Sequence, residues 1–254
     1  MLFCARPSAS ACAHSSGEGR KFMSDIDTTP PTRRRVLTIG TAVAAGSMLW
    51  APSAAAAVRR GPEPAEPAEP AAWTARRSAN GWPVLDKAPS HRVEGAGKLS
   101  VRLADGDVAT VLLHVVRRYC YEVEMLDPLD VAGHSADRKV GADLESNQLS
   151  GTALTIKSTH YPLGAPAGNG MSEAQVTVIQ DILADCQGVV AWGGEMTPLK
   201  QSHFQIDVPP HDSRLRSLVA RINGWDERPG QGAGSIDAFQ PTRIARARKA
   251  RNAR

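Results

Sequence analysis

The stretch His-Phe-Gln-Ile-Asp-Val at residues 203–208 alternates apolar with polar side chains. An alternation with a period of two predicts a β-strand that buries one face and presents polar groups on the other. The apolar members share the first face, and His203, Gln205 and Asp207 share the second. The pattern therefore predicts a sheet whose polar face begins at a histidine.

Strand and helix patterns are mixed along the rest of the chain. Lys98–Leu103 alternates as a strand does, and a second strand is predicted over Thr152–Ile156. Apolar residues recur at helical spacing in Val108–Tyr119. Ser172 and Gln175 form a capping-box sequence that predicts the start of another helix. Short strands interspersed with helices favour an α+β fold with a small antiparallel sheet and flanking helices.

The composition of the 254-residue chain limits the classes of protein it can belong to. Apolar residues make up 42% and charged residues 22%, which is enough for a packed core. No run of eighteen apolar, uncharged residues occurs, which excludes a multi-span membrane protein. The four cysteines include no Cys-x-x-Cys pair, which argues against a zinc finger. A net charge of +4 permits an anionic partner without requiring one.

The first 57 residues contain an export pattern. Paired arginines in Thr32–Leu37 precede an apolar run over Thr38–Trp50 and small residues over Ala51–Ala57. This order is typical of a bacterial signal peptide of the twin-arginine type. Met23, ten residues before the paired arginines, is a more natural start than Met1. A membrane anchor is the alternative, disfavoured because the apolar run is short.

Export implies an extracellular, periplasmic or wall-associated protein with no stable membrane span after signal cleavage. In such a compartment Cys120 and Cys186 could form a disulfide, or both could be inert core thiols. The sequence does not favour either of these two alternatives.

Three regions are predicted after the signal. Residues 58–77 are rich in Pro, Glu and Ala, which predicts an extended linker. Residues 78–225 contain the strand and helix patterns and form the predicted domain. Residues 226–254 are predicted to be a flexible basic tail, which either contacts an anionic envelope polymer or lipid headgroup or is solvated without a partner.

Five motifs occur in a fixed order within residues 80–208. They are Asn80-Gly81-Trp82-Pro83, Ser-Asn-Gln-Leu-Ser-Gly-Thr-Ala-Leu-Thr-Ile at 146–156, Pro162-Leu163-Gly164, Trp192-Gly193-Gly194 and His203-Phe204. This order resembles the zinc D-alanyl-D-alanine carboxypeptidase family, which includes vancomycin-resistance D,D-peptidases and phage L-alanyl-D-glutamate endolysins. The resemblance implies a small α+β domain that binds one zinc ion and cleaves peptidoglycan stem peptides.

The positions that carry the chemistry in that family are largely substituted in this chain. The first and second zinc-ligand positions, a histidine and an aspartate in the family, fall on Gln148 and Thr155. The third falls on His203 and is retained. The acidic general-base position falls on Lys200. Arg138 is the candidate for the family's upstream arginine, which binds a substrate carboxylate or steadies the oxyanion.

The resemblance also places substrate-binding residues in two of the motifs. It implies that Ser146 and Asn147, at the start of the long motif, and Trp192 contact the peptide. The expected partner is accordingly a peptidoglycan stem peptide or a cell-wall protein, and no nucleic acid is expected.

The substituted positions are unfavourable for zinc. Gln148 and Thr155 offer only neutral oxygens, and zinc prefers imidazole, thiolate and carboxylate ligands. At about 5 Å and an effective dielectric constant near 20, the Lys200 ammonium would oppose a dication by roughly 6–7 kcal/mol. No cofactor is therefore expected. In one interpretation the Lys200 ammonium takes the place of the metal ion, among Gln148, Thr155 and His203. In the other, the Lys200 side chain points into solvent.

A rearranged metal site is the alternative. His134, His160 and Tyr161 lie near the altered motifs, and Asp143 or Glu145 could supply a carboxylate. Such a site would retain zinc as a cofactor and restore activity.

Three functions follow from these alternatives. The leading prediction is an exported, catalytically disabled D-alanyl-D-alanine carboxypeptidase-like domain that binds peptidoglycan stem peptides. The second is an active zinc D,D-carboxypeptidase or endopeptidase with an unorthodox metal site. The third is a structural envelope protein without a ligand.

Overall fold

The structure is a computed structural model that describes residues 69–165, 170–228 and 230–253. The predicted export signal at residues 1–57, and the part of the predicted linker before residue 69, lie outside the described residues.

The strands of the described part are short, two to four residues each. In chain order they are β1 (Ala71–Ala72), β2 (Ser90–Arg92), β3 (Ser100–Arg102), β4 (Val131–Ala132), β5 (Lys139–Val140), β6 (Ala153–Ile156), β7 (Val190–Trp192) and β8 (His203–Ile206).

The helices alternate irregularly with these strands. They are α1 (Asp107–Glu122), α2 (Ser146–Leu149), α3 (Glu173–Asp185), α4 (Ser213–Asp226) and α5 (Pro241–Asn252), with 3₁₀ turns at Asp143–Glu145 and Gly193–Glu195. Within the described ranges, no helix has both the length and the apolar character needed to cross a bilayer.

The central sheet has four strands in the order β4-β6-β8-β7, and all neighbours are antiparallel. Thr155 lies opposite His203, and it also lies opposite Ala132 on its other side. Trp192 lies opposite Phe204. Two separate two-stranded ladders, β1 with β5 and β2 with β3, complete the strand pairing. The predicted α+β fold with a small antiparallel sheet is confirmed.

Local signals in the sequence explain where α3 begins and ends. The Ser172 hydroxyl accepts a hydrogen bond from the Gln175 backbone N–H at 3.3 Å, and the Gln175 side chain accepts one from the Ser172 N–H at 2.9 Å. Two otherwise unpaired donors of the first turn are satisfied in this way. Gly188, with φ of +75°, takes the chain out of the helical region. The capping box is therefore confirmed.

The core forms where α1 packs on the central sheet. Leu112, Val115 and Tyr119 of α1 are fully buried together with Leu154 of β6 and Phe204 of β8. The Tyr119 and Phe204 rings meet edge to face, with centroids 6.3 Å apart. Cys120 on α1 and Cys186 just after α3 are both thiols, and no disulfide joins them.

The C-terminal region differs from the expected flexible tail over residues 226–254. Within it, α5 is a regular helix that packs against α3. Arg243 pairs with Asp181 and Asp185 at 2.7 and 2.8 Å, and Arg246 pairs with the same two carboxylates at 3.2 and 2.5 Å. The basic residues thus neutralise two buried acids of α3, which holds the segment on the domain.

The N-terminal boundary also differs from the expected one at residue 78. Ala71 and Ala72 of the predicted linker pair with Val140 and Lys139, and the Trp73 N–H donates to the Arg138 carbonyl at 2.8 Å. The folded unit consequently includes the last part of the predicted linker.

A buried histidine of α1 has an unusual electrostatic setting. His114 is 1% exposed, stacks obliquely on Trp225 at 5.6 Å, and neither ring nitrogen has a hydrogen-bond partner among the described residues. Burial, together with the positive charges of Arg118 and Arg117, lowers the pKa of His114 to about 3, and Asp226 opposes this shift only in part.

The low pKa of His114 predicts acid sensitivity. Between pH 6.5 and about 3 the unfolded chain binds a proton at this position that the folded protein excludes. Its contribution to the free energy of unfolding therefore falls as the pH is lowered through this window, by about 3 kcal/mol at pH 4.5. His114→Leu should remove this part of the acid sensitivity, as measured by urea unfolding at pH 8 and 4.5. The matched control is His160→Gln, which removes an exposed imidazole.

Candidate functional site

The retained histidine of the resemblance lies on the central sheet, beside one of the substituted positions. His203 on β8 and Thr155 on β6 are direct cross-strand partners, so their side chains lie on the same face of the sheet. Both are nearly inaccessible to solvent, at 0% and 3% exposure. The face predicted to be polar is therefore polar but buried.

A chain of amides fixes the His203 ring. Its Nε2 lies 3.0 Å from Gln205 Oε1, which also accepts a hydrogen bond from Asn147 Nδ2 at 2.7 Å. Gln205 Nε2 in turn donates to Asp207 Oδ1 at 3.0 Å. Because Gln205 Oε1 is an acceptor only, this assignment of the network makes Nε2 the protonated nitrogen of His203. The lone pair then lies on Nδ1, which is buried and has no hydrogen-bond partner among the described residues.

Burial lowers the pKa of His203 to about 4. The Lys200 charge acts in the same direction, whereas the Gln205 hydrogen bond and the Glu145 charge oppose it. The imidazole is consequently neutral at neutral pH and has one available lone pair, which is the state of a metal ligand or a general base.

Lys200 is buried and bonded to a carboxylate. Its Nζ donates to Glu145 Oε1, and the side chain is 9% exposed. The Gly141 N–H donates to Glu145 Oε2 at 2.7 Å. Burial alone would raise the pKa of Glu145. The hydrogen bonds from Lys200 and Gly141, together with the Lys200 charge, outweigh burial, so this pKa lies below its ordinary value. The Lys200 ammonium therefore pairs with Glu145. It neither hydrogen-bonds to Gln148 and Thr155, as the first interpretation predicts, nor points into solvent, as the second predicts.

Gln148 and Thr155 both reach towards the β4 segment. Gln148 Nε2 lies 3.4 Å from the Gly133 carbonyl, and Thr155 Oγ1 lies 3.5 Å from the Ala132 carbonyl. The two substituted side chains therefore reach the carbonyls of adjacent residues, Ala132 and Gly133, and Thr155 lies next to His203. Their hydrogen bonds are long, and neither side chain carries a charge.

Two glycines bring the ends of the loop between β7 and β8 close together. A Cβ on Gly193 would lie 2.2 Å from the Lys200 carbonyl oxygen and 2.9 Å from His203 Cβ. A Cβ on Gly194 would lie 2.3 Å from the Trp192 indole. Gly193 is therefore required for the close approach of β7 to Lys200 and His203, and Gly194 leaves room for the Trp192 indole.

Trp192 is a core residue in this structure. Its side chain is 3% exposed, lies stacked 6.5 Å from the Phe204 ring, and donates from Nε1 to the Gln201 carbonyl at 2.7 Å. The substrate contact that the resemblance implies for Trp192 is not available from this position.

Ser146 and Asn147 connect the site to the segment before it. Ser146 Oγ accepts from the Ala79 N–H at 2.9 Å, and Asn147 Oδ1 accepts from the Asn80 N–H at 3.0 Å. Both side chains are 1% exposed or less. The segment that contains them is a 3₁₀ turn that runs into α2.

Arg138 lies on the surface and is engaged with the N-terminal segment. Its Nη1 donates to the carbonyls of Trp73 and Ala75 at 3.1 and 3.3 Å. The structure therefore uses Arg138 to hold β1 beside β5, and it does not bring the guanidinium to the His203 site.

The alternative ligand set is not assembled. His134 is buried against the Leu85 carbonyl, with Nε2 2.9 Å away, and His160 is exposed. Within the described ranges, no three His, Cys, Asp or Glu side chains are grouped so that they could hold a metal ion. At the position the resemblance gives to zinc, the donors are one imidazole, an amide and a hydroxyl beside an ammonium. This donor set does not fit zinc.

A cleft of about 450 Å³ adjoins the site on the side of the amide network. Asn147, Gln205 and Asp207 supply polar lining, and Ala79, Asn80, Gly81, Leu144 and Pro209 complete it.

The site predicted from the sequence did not include Asn80 or the ion-pair role of Glu145. The sequence did offer one indication of this ion pair: Lys200 occupies a position that is acidic in the family, and a buried lysine requires a carboxylate partner.

Comparison with known protein-family models, with characterised proteins and with solved structures gives no match to the chain in any of the three.

Proposed function

We propose that this chain is an exported, catalytically disabled D-alanyl-D-alanine carboxypeptidase-like protein that binds peptidoglycan stem peptides at the cell wall. The observation that carries the proposal is the buried Lys200–Glu145 ion pair beside His203. Metal-dependent peptidases need a bound ion to activate water and a nearby base to accept its proton. A lysine paired with a carboxylate supplies neither function.

The peptide site that we propose is the cleft next to Asn147 and Gln205. Its volume of about 450 Å³ is within the range of small-ligand sites. Amide side chains and a carboxylate on its wall suit the N–H and C=O groups of an extended peptide. The export pattern before residue 58 supports a location where such peptides occur.

Binding to purified cell-wall sacculi tests the proposal on the mature chain. We expect the protein to sediment with sacculi and a soluble stem pentapeptide to displace it. In a separate assay, we expect no release of D-alanine from an acyl-L-Lys-D-Ala-D-Ala peptide, with or without added zinc. Ala79→Arg, on the exposed rim of the cleft, should weaken binding about tenfold, equivalent to 1.4 kcal/mol. Ala75→Arg adds the same side chain four residues earlier, outside the cleft, and should bind normally.

Three outcomes would contradict the proposal. Failure to sediment with sacculi would leave a structural envelope protein without this ligand. Zinc-dependent release of D-alanine would establish the active peptidase, for which the unpartnered His203 Nδ1 is a suitable ligand atom. Equal weakening by Ala79→Arg and Ala75→Arg would place the peptide elsewhere on the domain.

A further inference from the structure

A second cleft, of about 600 Å³, lies between α4 and α5 and opens beside β7. Four cationic side chains line it: Arg214 and Arg221 from α4, and Arg246 and Lys249 from α5. None of them belongs to the Lys200–Glu145 site. The cleft has more cationic than acidic side chains on its wall, and it shares one wall residue, Asp207, with the cleft of the proposed peptide site.

Two of these four charges are not neutralised within the described residues. Arg214 pairs with Asp212 at 2.8 Å, and Arg246 pairs with Asp185 at 2.5 Å. Arg221 and Lys249 have no carboxylate within ion-pair distance in the described part of the chain. An ionic ligand carrying two negative charges would match them.

The Arg221 guanidinium is held in place but is not saturated with hydrogen bonds. It lies 5.8 Å from the centre of the Trp225 ring, and Nη2 lies 3.5 Å from the Asp185 carbonyl oxygen. Its Nε is buried and has no hydrogen-bond partner among the described residues. Stacking on an indole fixes the orientation of the planar group. Because Nε is buried, a ligand in the cleft would contact the terminal nitrogens of the guanidinium.

The acidic residues of the cleft, Asp185 and Asp207, do not form ion pairs with Arg221 or Lys249 in the described part of the chain. The Asp185 carboxylate is already bonded to Arg118 at 2.6 Å and Arg243 at 2.8 Å, in addition to Arg246. Asp207 accepts from Gln205 Nε2. The rest of the lining includes small apolar side chains, Ala184, Val190, Ala191, Ala250 and Ala253. The cleft thus combines two available cations with an apolar wall.

We propose that this cleft binds the phosphate group of a phosphoester. A doubly charged phosphate satisfies both unpaired cations, which a single carboxylate does not, and the arginine fork matches two phosphate oxygens. The apolar wall accommodates the organic part of the ester. The volume lies within the range of small-ligand sites.

Calorimetric titration of the full chain with phenyl phosphate tests the proposal. We expect saturable binding, weakened at least tenfold by Arg221→Gln combined with Lys249→Gln. The matched control removes Arg248 and Arg251 by the same substitutions, since these arginines line a separate cleft against α3. The control should bind within twofold of the original chain. Lys249→Gln alone changes an exposed residue, so its weaker binding cannot be attributed to misfolding.

Further probes identify the source of the phosphate and the outcomes that overturn the proposal. Tighter binding of phenyl phosphate than of inorganic phosphate assigns the site to an ester, and equal binding assigns it to the free anion; both support a phosphate site. Benzoate binding as tightly as phenyl phosphate would overturn the assignment to phosphate. Absence of saturable phenyl phosphate binding, or equal loss in the two double variants, would overturn the site itself.

Discussion

Replacing Arg118 with methionine is expected to lower the free energy of unfolding by about 3–5 kcal/mol, the cost of breaking a buried charge network by removing one partner. The Arg118 side chain is 0% exposed and bonds to Glu122, Asp181 and Asp185 at 2.5, 2.8 and 2.6 Å. Removing the guanidinium leaves three buried carboxylates opposite only the two C-terminal arginines. Urea unfolding at neutral pH, followed by circular dichroism, measures the loss.

The preceding residue provides a matched control on the same helix. Arg117 pairs with Glu94 and Asp226, whose side chains are 86% and 33% exposed, so solvent screens these pairs more strongly than those of Arg118. Arg117→Met should therefore cost less than about 1 kcal/mol. Adding salt to 1 M should reduce the contribution of Arg117 and leave that of Arg118 nearly unchanged, because buried pairs are weakly screened. Equal costs for the two substitutions would show that the Arg118 network does not stabilise the fold.

The Arg118 network also explains why α5 could not be predicted from the sequence. The segment Pro241–Asn252 has five basic residues and no acidic one, which by itself resembles a solvated tail. Its partners, Asp181 and Asp185, lie about sixty residues earlier on one face of α3. A local pattern contains no information on this pairing. In contrast, the α3 capping box and the alternation in β8 are local, and both were correctly predicted.

The candidate site, like the fold, could be predicted from the sequence only where it depends on local patterns. The sequence placed Thr155 and His203 on strands that turned out to be direct neighbours. It could not place Arg138 on the N-terminal segment or Trp192 in the core, because both depend on tertiary contacts. It also could not show that Glu145 neutralises Lys200, although a buried ammonium requires such a partner.

The Lys200–Glu145 pair changes the reason why zinc is disfavoured. An isolated ammonium about 5 Å from a dication would oppose it by roughly 6–7 kcal/mol at an effective dielectric constant near 20. Because Glu145 offsets that charge, the net repulsion in the structure is smaller. The dominant obstacle is then the ligand set, since Gln148 and Thr155 supply no charge and only weak donors.

Restoring the ligands should therefore restore the metal. Gln148→His and Thr155→Asp, together with Lys200→Glu, are expected to convert a chain without bound zinc into one with about one zinc ion per chain, as measured by elemental analysis after dialysis. The same variant should gain about 4 kcal/mol in its free energy of unfolding at zinc concentrations a thousandfold above Kd. Glu145, freed from its ammonium, adds to the attraction.

Two further variants separate the ligand effect from the charge effect. Keeping Lys200 while changing only Gln148 and Thr155 should bind zinc at least tenfold more weakly than the triple variant, since the ammonium and its carboxylate partner remain in place. Adding His203→Ala to the triple variant should abolish zinc binding, because it removes the nitrogen whose lone pair is unpartnered in the structure. A folded triple variant that binds no zinc would show that the convergence of residues 148, 155 and 203 does not form a metal-binding geometry. That result would contradict the proposed relation of the domain to zinc peptidases, whereas binding of the protein to sacculi would be unaffected.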